Sequence, residues 1–443
     1  MLPLCRPRHE RLLLVLVAVA ALSPIYVISA QDNSRLCLTR AVADGRLTIS
    51  PCIGHAFDQA RFDGRSYSDK APGMSLLALP AAEAVRLPAP SQWRAVRDLR
   101  VWAVRVLTSG IAFLFLAFLV GRVSEGIRPG TGGAALVTVA LGTIAGALAA
   151  TTFGHVTAGA LCFAAFLLAW RRRPILAGLL AGLVVTVEYE TGIALVALAA
   201  YVGLTGGRRP LLRYALGVVP GGVLLALYDW AAFGSPFHLS YRYVANKYAT
   251  DQSKGLFGIS VPRLHSIDQV LVGDRGLLIA SPVLIMALLG LGLLARERRA
   301  EAITCLTIVG GFLVLSAGYF LPYGGVSPGP RFFIPALPFL AVGLGPAFAR
   351  WPVVSSLLAI PSVIASTALT LTWAWEGYVG YRQSVWGELA RLVTGSGSRL
   401  GHSLASNVAT FAGLSAGEAA ILVGCCGATA VAIALASLRR TDA

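Results

Sequence analysis

Charged residues are scarce in this sequence, where they make up 13% of 443 residues. Soluble proteins average about 25% charged residues, so a chain with half that share cannot cover the surface of soluble domains of this size. A large soluble protein is therefore excluded. Hydrophobic residues make up 56% of the chain and the mean hydropathy is +0.71, which together predict a polytopic membrane protein.

The sequence also lacks the short motifs of several nucleotide and metal sites. It contains no GxxxxGK[ST] phosphate loop, no glycine-rich dinucleotide fingerprint, no HExxH motif and no CxxC pair. Its 6 histidines are scattered without the spacing of a zinc site. We therefore predict no nucleotide cofactor and no metal site, and a dependence on a divalent metal ion stays an open alternative.

Long apolar runs are abundant, and they are continuous rather than alternating as in the strands of a membrane barrel. The stretch 175–204 is interrupted by Glu188-Tyr189-Glu190, which predicts two short helices joined by an acidic turn. The predicted fold class is an all-α polytopic membrane protein with about twelve transmembrane helices. These lie at 12–30, 101–120, 135–153, 156–170, 175–204 (two helices), 214–232, 276–294, 302–320, 332–349, 352–372 and 416–437.

The distribution of basic residues predicts the orientation of these helices. Short connections on one side are rich in arginine, as in Arg171-Arg172-Arg173, whereas Phe153-Gly154-His155 on the other side has none. Because cytoplasmic loops carry the excess of Lys and Arg, both termini are predicted to be cytoplasmic, in the cell inner (plasma) membrane. Most of the +16 net charge then faces the cytoplasm and gives no support to nucleic-acid binding.

The chain is predicted to be a single membrane domain, 1–443, with long extracytoplasmic loops at 31–100, 233–275 and 373–415. In the first loop, residues 34–44 and 92–105 alternate apolar and charged positions, which predicts two helices lying in the membrane interface. The alternative for 92–105 is a basic extension of the next span.

The two cysteines of the first loop, Cys37 and Cys52, lie on the oxidising side in this topology. Disulfides form and persist in such compartments. A disulfide between these residues and two free thiols are both left open at this point.

Three segments carry candidate site residues. Asp32 follows the first span by two residues, where it would meet a lipid-linked substrate or, alternatively, cap the next helix. Lys70 precedes a Pro-Gly turn, where its ammonium suits a phosphate or belongs to an ordinary surface turn. Arg331 lies in a rigid Pro/Gly segment and offers bidentate phosphate recognition, or anchors the start of a helix.

Further candidates lie at the outer ends of the predicted spans. Aromatic and polar residues interleave in the loop after residue 233, as in a site for a sugar or a lipid head group, or alternatively in an interfacial aromatic belt. Each of these residues has a structural role as its alternative. The candidates for substrate binding are Tyr67, Asp69, His155, Glu188, Glu190, Tyr241, Arg242 and Lys247.

Together these segments resemble the GT-C superfamily of integral-membrane glycosyltransferases. The bacterial branch with the aminoarabinose and galacturonic acid transferases and the protein O-mannosyltransferases is the most similar. Four features carry the resemblance: Asp32 after the first helix, the Tyr67–Gly73 turn, the Phe153-Gly154-His155 turn, and the Gly329–Phe332 segment entering a late helix. Many relatives carry a second acidic residue where this chain has His155.

The resemblance implies a GT-C-like fold and a bacterial cell-envelope enzyme. It would move a sugar from a polyprenyl-phosphate-linked donor to a glycan, lipid or protein acceptor on the extracytoplasmic face, by inverting displacement. Asp32 would be the general base, Lys70 and Arg331 would bind the donor phosphate, and Asp69 would orient Lys70 or contact the sugar. The alternative is a multi-pass transporter or flippase of a lipid-linked or small substrate, and a third reading is a non-catalytic scaffold.

Overall fold

The computed structural model describes residues 4–52, 58–88, 98–325, 327–379, 384–394 and 407–438. The protein is built almost entirely from helices. In chain order they are α1 Glu10–Leu22, α2 Ala30–Ala43, α3 Gly73–Ala84, α4 Leu99–Arg105, α5 Ile111–Ile127, α6 Gly132–Leu141, α7 Gly154–Trp170, α8 Pro174–Val185, α9 Gly192–Gly206, α10 Arg208–Phe233, α11 Ala249–Gln252, α12 Leu264–Val272, α13 Leu277–Ala280, α14 Leu284–Ala295, α15 Arg299–Gly318, α16 Leu337–Ala341, α17 Leu344–Arg350, α18 Pro352–Val379, α19 Val385–Thr394 and α20 Ala416–Leu438.

The remaining regular elements are short. Strands β1 Gln59–Phe62 and β2 Arg65–Ser68 form an antiparallel hairpin in which Ala60 pairs with Tyr67. A π-helical turn joins α4 to α5. The 3-10 turns are Ser50–Cys52, Gly146–Leu148, Tyr189–Thr191, Ser240–Tyr243, Arg331–Ala336 and Val408–Ala412.

In the described part of the chain, six helices are long and apolar enough to cross a bilayer, and two bent helix pairs raise the number to eight. The protein is therefore a multi-pass helical membrane protein, as the composition predicts. The count of twelve is not confirmed, because several predicted spans are short or broken. The predicted division of 175–204 is present: α8 ends before the acidic turn and α9 begins after it.

The predicted first span, 12–30, is helical only as far as Leu22, and a second helix begins at Ala30. Helix α1 ends at Leu22, and Pro24 lacks the N–H that would continue it. Helix α2 then begins with a capping box, in which Ser29 Oγ accepts the backbone N–H of Asp32 at 3.1 Å. The Asp32 carboxylate accepts the backbone N–H of Ser29 at 3.0 Å in return. The apolar run conceals this stop and restart.

Two later spans are also bent. Leu264–Ala280 meets Leu284–Leu294 at 90°, and Arg331–Ala341 meets Leu344–Arg350 at 52°. The first break contains Pro282, which cannot donate a backbone hydrogen bond. The second contains Gly343, where a Cβ would lie 1.9 Å from the Ala287 carbonyl oxygen of α14. Close backbone packing against α14 therefore requires glycine at this break.

The two helices that were predicted to lie in the membrane interface differ from that prediction. Residues 34–43 belong to helix α2, but the polar side chains Asp32, Arg35 and Thr39 of this helix are buried rather than facing water. Residues 99–105 are the first turns of a continuous 29-residue apolar helix, Leu99–Ile127, so the alternative of an extended span holds there. Residues 92–97, with Trp93 and Arg94, lie outside the described residues, as do 380–383 and 395–406 of the loop predicted at 373–415.

The first long loop folds into a small layer against the helices. Helix α2 packs on α3 and on β2, and a disulfide between Cys37 and Cys52 joins α2 to the 3-10 turn that precedes the hairpin. Cys37, Cys52 and Tyr67 belong to an apolar cluster of this layer that is separate from the core of the helical bundle. The loop is therefore an ordered platform, and its covalent link holds α2 in place.

Helix α7 lies at the centre of the helical bundle, with almost all of its side chains buried. It packs against α8, α5 and the 3-10 turn at Arg331–Ala336. Phe163 and Phe166 fill the space between α7 and Phe339 of α16, with ring centroids 5.6 and 5.7 Å apart. Since His155 is the second residue of α7, this central packing fixes its position.

Helices α8 and α10 approach each other at glycine. A Cβ at Gly178 would lie 2.0 Å from the Tyr214 carbonyl oxygen, and one at Gly221 would lie 2.1 Å from the backbone carbon of Gly182. Small residues four positions apart, such as Gly178 and Gly182, let helix backbones pack closely in membranes. The contact holds α8, and therefore the acidic turn that follows it, against α10.

We predict that Gly221→Ala lowers the melting temperature of the purified protein, because its methyl group meets backbone that cannot move aside. Overpacking of this kind costs about 1–3 kcal/mol. Gly222→Ala is the matched control, since the neighbouring glycine has nothing within 4 Å of its Cβ position and alanine favours a helix. Equal melting temperatures of the two variants would contradict the close helix contact.

Candidate functional site

A cavity of about 770 Å³ lies between the platform of the first loop, the loop after α10 and the start of the 3-10 turn at Arg331. Its walls combine charged side chains with aromatic rings, among them Tyr241, Tyr319 and Phe332. Most of the residues predicted as site residues converge here. Those that line the cavity are Asp69, Lys70, His155, Glu188, Tyr241, Lys247 and Arg331.

Lys70 is held by two carboxylates immediately after β2. Its Nζ lies 3.1 Å from Asp58 Oδ2 and 3.1 Å from Asp69 Oδ2, and its backbone N–H donates to Ser68 Oγ. Burial opposes the charge of the ammonium, but the two carboxylates outweigh it and raise the pKa of Lys70. The site therefore contains a permanent cation at a fixed position.

Asp69 differs from Asp58 in its environment. Burial is the main cause that raises the pKa of Asp69 to about 6; Lys70 opposes the shift, and the Asp58 carboxylate adds to it. Asp69 Oδ1 is buried without a hydrogen-bond partner. For Asp58, burial is outweighed by Lys70, with smaller contributions from Arg331 and Arg35, and its pKa is lowered. The pair thus offers one proton acceptor near neutral pH beside one permanent anion.

Arg331 begins the 3-10 turn and makes no ion pair within the described residues. Its guanidinium carbon lies 5.4 Å from the ring centroid of Phe153 and 5.3 Å from that of Phe332, while its Nε is buried without a hydrogen-bond partner. A Cβ at Gly324, where φ is +78°, would lie 2.7 Å from that Nε. Glycine at 324 therefore makes room for an arginine held between aromatic rings without a carboxylate contact.

A second buried cluster adjoins the cavity. Arg35 donates to Gln31 Oε1 and to Glu188 Oε1. His155 Nδ1 lies 3.5 Å from Glu188 Oε1, and its Nε2 lies 3.6 Å from Glu190 Oε1. One ligand atom each from His155, Glu188 and Glu190 fall within 4.8 Å of one another. Among the residues that the structure describes, these three form the group that could hold a metal ion.

Asp32, the predicted general base, does not line the cavity. Its Oδ1 accepts the N–H and the hydroxyl of Thr152 at 2.8 and 2.7 Å. Its Oδ2 accepts from Ser29 and lies 2.9 Å from Arg105 Nη2. Burial alone would raise the pKa of Asp32, but Arg105 and these hydrogen bonds outweigh it and lower the pKa.

A carboxylate so saturated is a weak proton acceptor. The assignment of Asp32 as the base stays a prediction, and the geometry favours the alternative that Asp32 caps α2 and joins it to neighbouring segments. Thr152 lies three residues before His155, and Arg105 ends α4. Asp32 therefore connects α2, α4 and the segment that leads into α7.

Three other predicted site residues are not among those that line the cavity. Tyr67 is buried in the platform, where its ring lies 5.2 Å from that of Phe233. Arg242 is exposed in the Ser240–Tyr243 turn. Glu190 Oε1 lies 3.6 Å from His155 Nε2. Because the side chains of an extended or turn segment alternate in direction, a run of suitable residues could not all reach one cavity.

The cavity is also lined by residues that the sequence did not indicate, among them Arg35, Asp58, Gln252 and Tyr319. Arg35 had a usable signal, since it lies one helical turn after Gln31 and both side chains project from the same face of α2. Asp58 had none, because its approach to Lys70 depends on the hairpin. Gln252 and Tyr319 meet through a 2.9 Å hydrogen bond across 67 residues, which spacing along the chain cannot reveal.

We predict that Asp32→Asn destabilises the protein by about 3–5 kcal/mol, because it leaves Arg105 as an unpaired buried charge. Thermal unfolding of the purified protein measures the effect. Asp44→Asn is the control: the Asp44–Arg46 pair is exposed, and exposed pairs contribute at most about 1 kcal/mol. Similar losses in both variants would contradict the structural role of Asp32.

The fold of this chain is similar to that of solved structures. No family model and no curated protein matches the sequence. ArnT from Cupriavidus metallidurans in the apo state is similar with a TM-score of 0.52 and 15% identity, over 96% of this chain and 75% of that chain. The structure of the same protein bound to undecaprenyl phosphate is similar with a TM-score of 0.54 and 14% identity, over 97% and 77%. ArnT is a GT-C glycosyltransferase, so the GT-C-like fold that the resemblance implies is confirmed.

Proposed function

We propose that this protein is a membrane glycosyltransferase that moves a sugar from a polyprenyl-phosphate-linked donor to an acceptor. The observation that carries the proposal is the presence of Lys70 and Arg331 in one cavity with carboxylates and aromatic rings. The fold supports it, because a protein with the same fold binds undecaprenyl phosphate. A fold alone does not define a function, so the charges of the cavity are the main support.

The two cations suit a phosphate that leaves during the reaction. An ammonium has three N–H groups, and contacts with Asp58 and Asp69 account for two of those of Lys70. Arg331 has no carboxylate contact among the described residues, and its planar guanidinium matches phosphate oxygens. Cations that are already in position stabilise charge that develops on the leaving group.

Aromatic rings give the cavity surfaces for a sugar ring. Tyr241, Tyr248, Tyr319 and Phe320 line it together with Phe332. Aromatic faces pack well against apolar C–H groups, and tyrosine hydroxyls add polar contacts at the edge. A cavity with a cationic end and an aromatic wall fits a phosphate-linked sugar better than a free ion.

Two observations support an extracytoplasmic position of the cavity. The Cys37–Cys52 disulfide lies in the platform that forms one wall, and structural disulfides persist in oxidising compartments. The arginine-rich connections such as Arg171-Arg172-Arg173 lie at the opposite ends of the helices that enter the site. We place both termini in the cytoplasm, the chain in the bacterial inner membrane, and a cell-envelope glycan, lipid or protein as the acceptor.

In the proposed reaction, an acceptor hydroxyl oxygen bonds to the anomeric carbon as the bond from that carbon to the phosphate oxygen breaks. Attack from the opposite side inverts the configuration. The hydroxyl proton passes to a carboxylate, and the electron pair of the broken bond leaves with the polyprenyl phosphate. We place this base at Asp69 rather than Asp32, because Asp69 lines the cavity and its Oδ1 has no hydrogen-bond partner.

We predict that Lys70→Ala and Arg331→Ala each lower kcat/KM for sugar transfer at least tenfold. Each variant removes a charge-assisted contact to phosphate, worth about 1.5–3 kcal/mol. The assay uses purified protein with polyprenyl-phosphate sugars and follows transfer of the sugar.

The controls for the cation test are Lys254→Ala and Arg242→Ala. Lys254 is exposed and paired with Asp251, and Arg242 was a sequence candidate that does not line the cavity; both variants should keep normal transfer. Normal transfer by Lys70→Ala and Arg331→Ala would remove the phosphate assignment. If the protein instead moves an intact lipid-linked sugar across vesicle membranes without transferring the sugar, it is a transporter rather than an enzyme.

We predict that kcat/KM rises with pH up to about 6 and is constant above it. The base must be deprotonated to accept a proton, and burial places the pKa of Asp69 at about 6; kcat/KM reports the pKa of the free enzyme. Asp69→Asn should lower the rate about 10²–10⁴-fold and flatten the profile.

Asp58→Asn is a sharper test of the same base. It removes a negative charge that raises the pKa of Asp69, so the midpoint of the profile should move to lower pH. A profile that is flat between pH 5 and 7 in the unmodified protein, or a midpoint that Asp58→Asn leaves in place, would contradict the assignment.

A further inference from the structure

The acidic turn after α8 and the start of α7 bring an imidazole between two carboxylates. Glu188 precedes the 3-10 turn Tyr189–Thr191, which contains Glu190, and His155 faces both carboxylates at 3.5 and 3.6 Å. His155 is 1% exposed and the Glu190 side chain 7%. His155 and Glu188 line the cavity, so the cluster forms part of its wall.

Several polar atoms of this cluster have no hydrogen-bond partner: Nδ1 and Nε2 of His155, and Oε1 of Glu190. The two His–Glu distances exceed the 2.7–3.2 Å typical of N–H···O bonds. An unpaired buried polar group is costly, and an unpaired buried carboxylate more so. The packing of α7 nevertheless holds these atoms towards each other. This arrangement indicates a ligand that all of them contact.

Charge favours a cation as that partner. Arg35 contacts Glu188 through Oε1 and offsets one of the two carboxylates. Glu190 contacts no lysine or arginine in the described part of the chain. A neutral imidazole and two carboxylate oxygens are ligands for divalent metals such as Zn²⁺ and Mn²⁺. Their separations, up to 4.8 Å, allow contraction onto one ion, since ligand atoms lie about 2.0–2.2 Å from zinc.

We propose that His155, Glu188 and Glu190 bind one divalent metal ion in the wall of the cavity. Three protein ligands leave a coordination position for an oxygen ligand, as in zinc sites that bind substrate. Since His155 and Glu188 line the cavity, this position is open to a phosphate oxygen. The contact between the metal ion and a phosphate oxygen rests on the proposed function, whereas metal binding itself does not.

The test is Mn²⁺ binding to the purified full chain, followed by the loss of the free-ion EPR signal. Any affinity tag is removed and the protein is first stripped with a chelator. Mn²⁺ is the main probe because thiolates, such as that of exposed Cys425, prefer softer ions. We expect about one ion per chain, displaced by Zn²⁺, and a higher melting temperature when Mn²⁺ is bound.

Glu190→Gln and His155→Ala should each weaken Mn²⁺ binding at least tenfold. Because Glu190 Oε1 has no partner, Glu190→Gln should keep or raise the melting temperature without metal and abolish its increase with Mn²⁺. Asp229→Asn is the matched control: both carboxylate oxygens of Asp229 are buried without partners on α10, and binding should be unchanged.

No binding below about 1 mM Mn²⁺, or binding that Glu190→Gln leaves unaltered, overturns the metal site. If the metal contacts the donor phosphate, added polyprenyl phosphate should tighten Mn²⁺ binding, since coupling between two ligands is reciprocal. Binding that responds to Glu190→Gln in a protein without sugar transfer would uphold the metal site and reject the proposed function.

Discussion

The buried ion pair between Asp32 and Arg105 is the interaction on which the geometry of the site depends. Both side chains are fully buried, so each charge can be kept only with the other in place. The pair joins the start of α2 to the end of α4, and Thr152 adds the segment that leads into α7. Arg35 and His155 are therefore placed by one carboxylate: Arg35 lies one turn further along α2, and His155 three residues after Thr152.

Among the described residues, the cations that line the cavity divide into two that contact carboxylates and two, Lys247 and Arg331, that do not. Arg35 is matched by Glu188, and Lys70 by Asp58 and Asp69. Arg331 contacts aromatic rings instead. Removing one partner of a buried ion pair costs about 3–5 kcal/mol, so a buried cation without a partner favours the arrival of an anion. The cavity thus combines stable positioning at Lys70 with an unbalanced positive charge at Arg331, which is the combination that recognition of a phosphate requires.

Composition and apolar runs were sufficient to predict a helical membrane protein and the division of 175–204 at its acidic turn. They could not reveal the break after Leu22, because hydropathy averages over Pro24 and the capping residues Ser29 and Asp32. Lys70, Arg331 and His155 could be predicted because each lies close to a proline or glycine that marks a turn. Asp58 and Tyr319 could not, since they reach the cavity through the hairpin and through packing between distant segments. Asp32 was found by position, but its hydrogen bonds depend on Arg105 and Thr152, which lie far along the chain.

The likeness to ArnT at 14–15% identity has a physical basis that also limits what it explains. Apolar helices pack with many combinations of side chains of suitable volume, so a bundle can keep its architecture while most residues differ. A buried charge has no such freedom, because it needs a partner at a specific atom. The information about chemistry therefore lies in the few charged side chains of the cavity, and the proposed function depends on Lys70, Asp69 and Arg331 rather than on the helices that carry them.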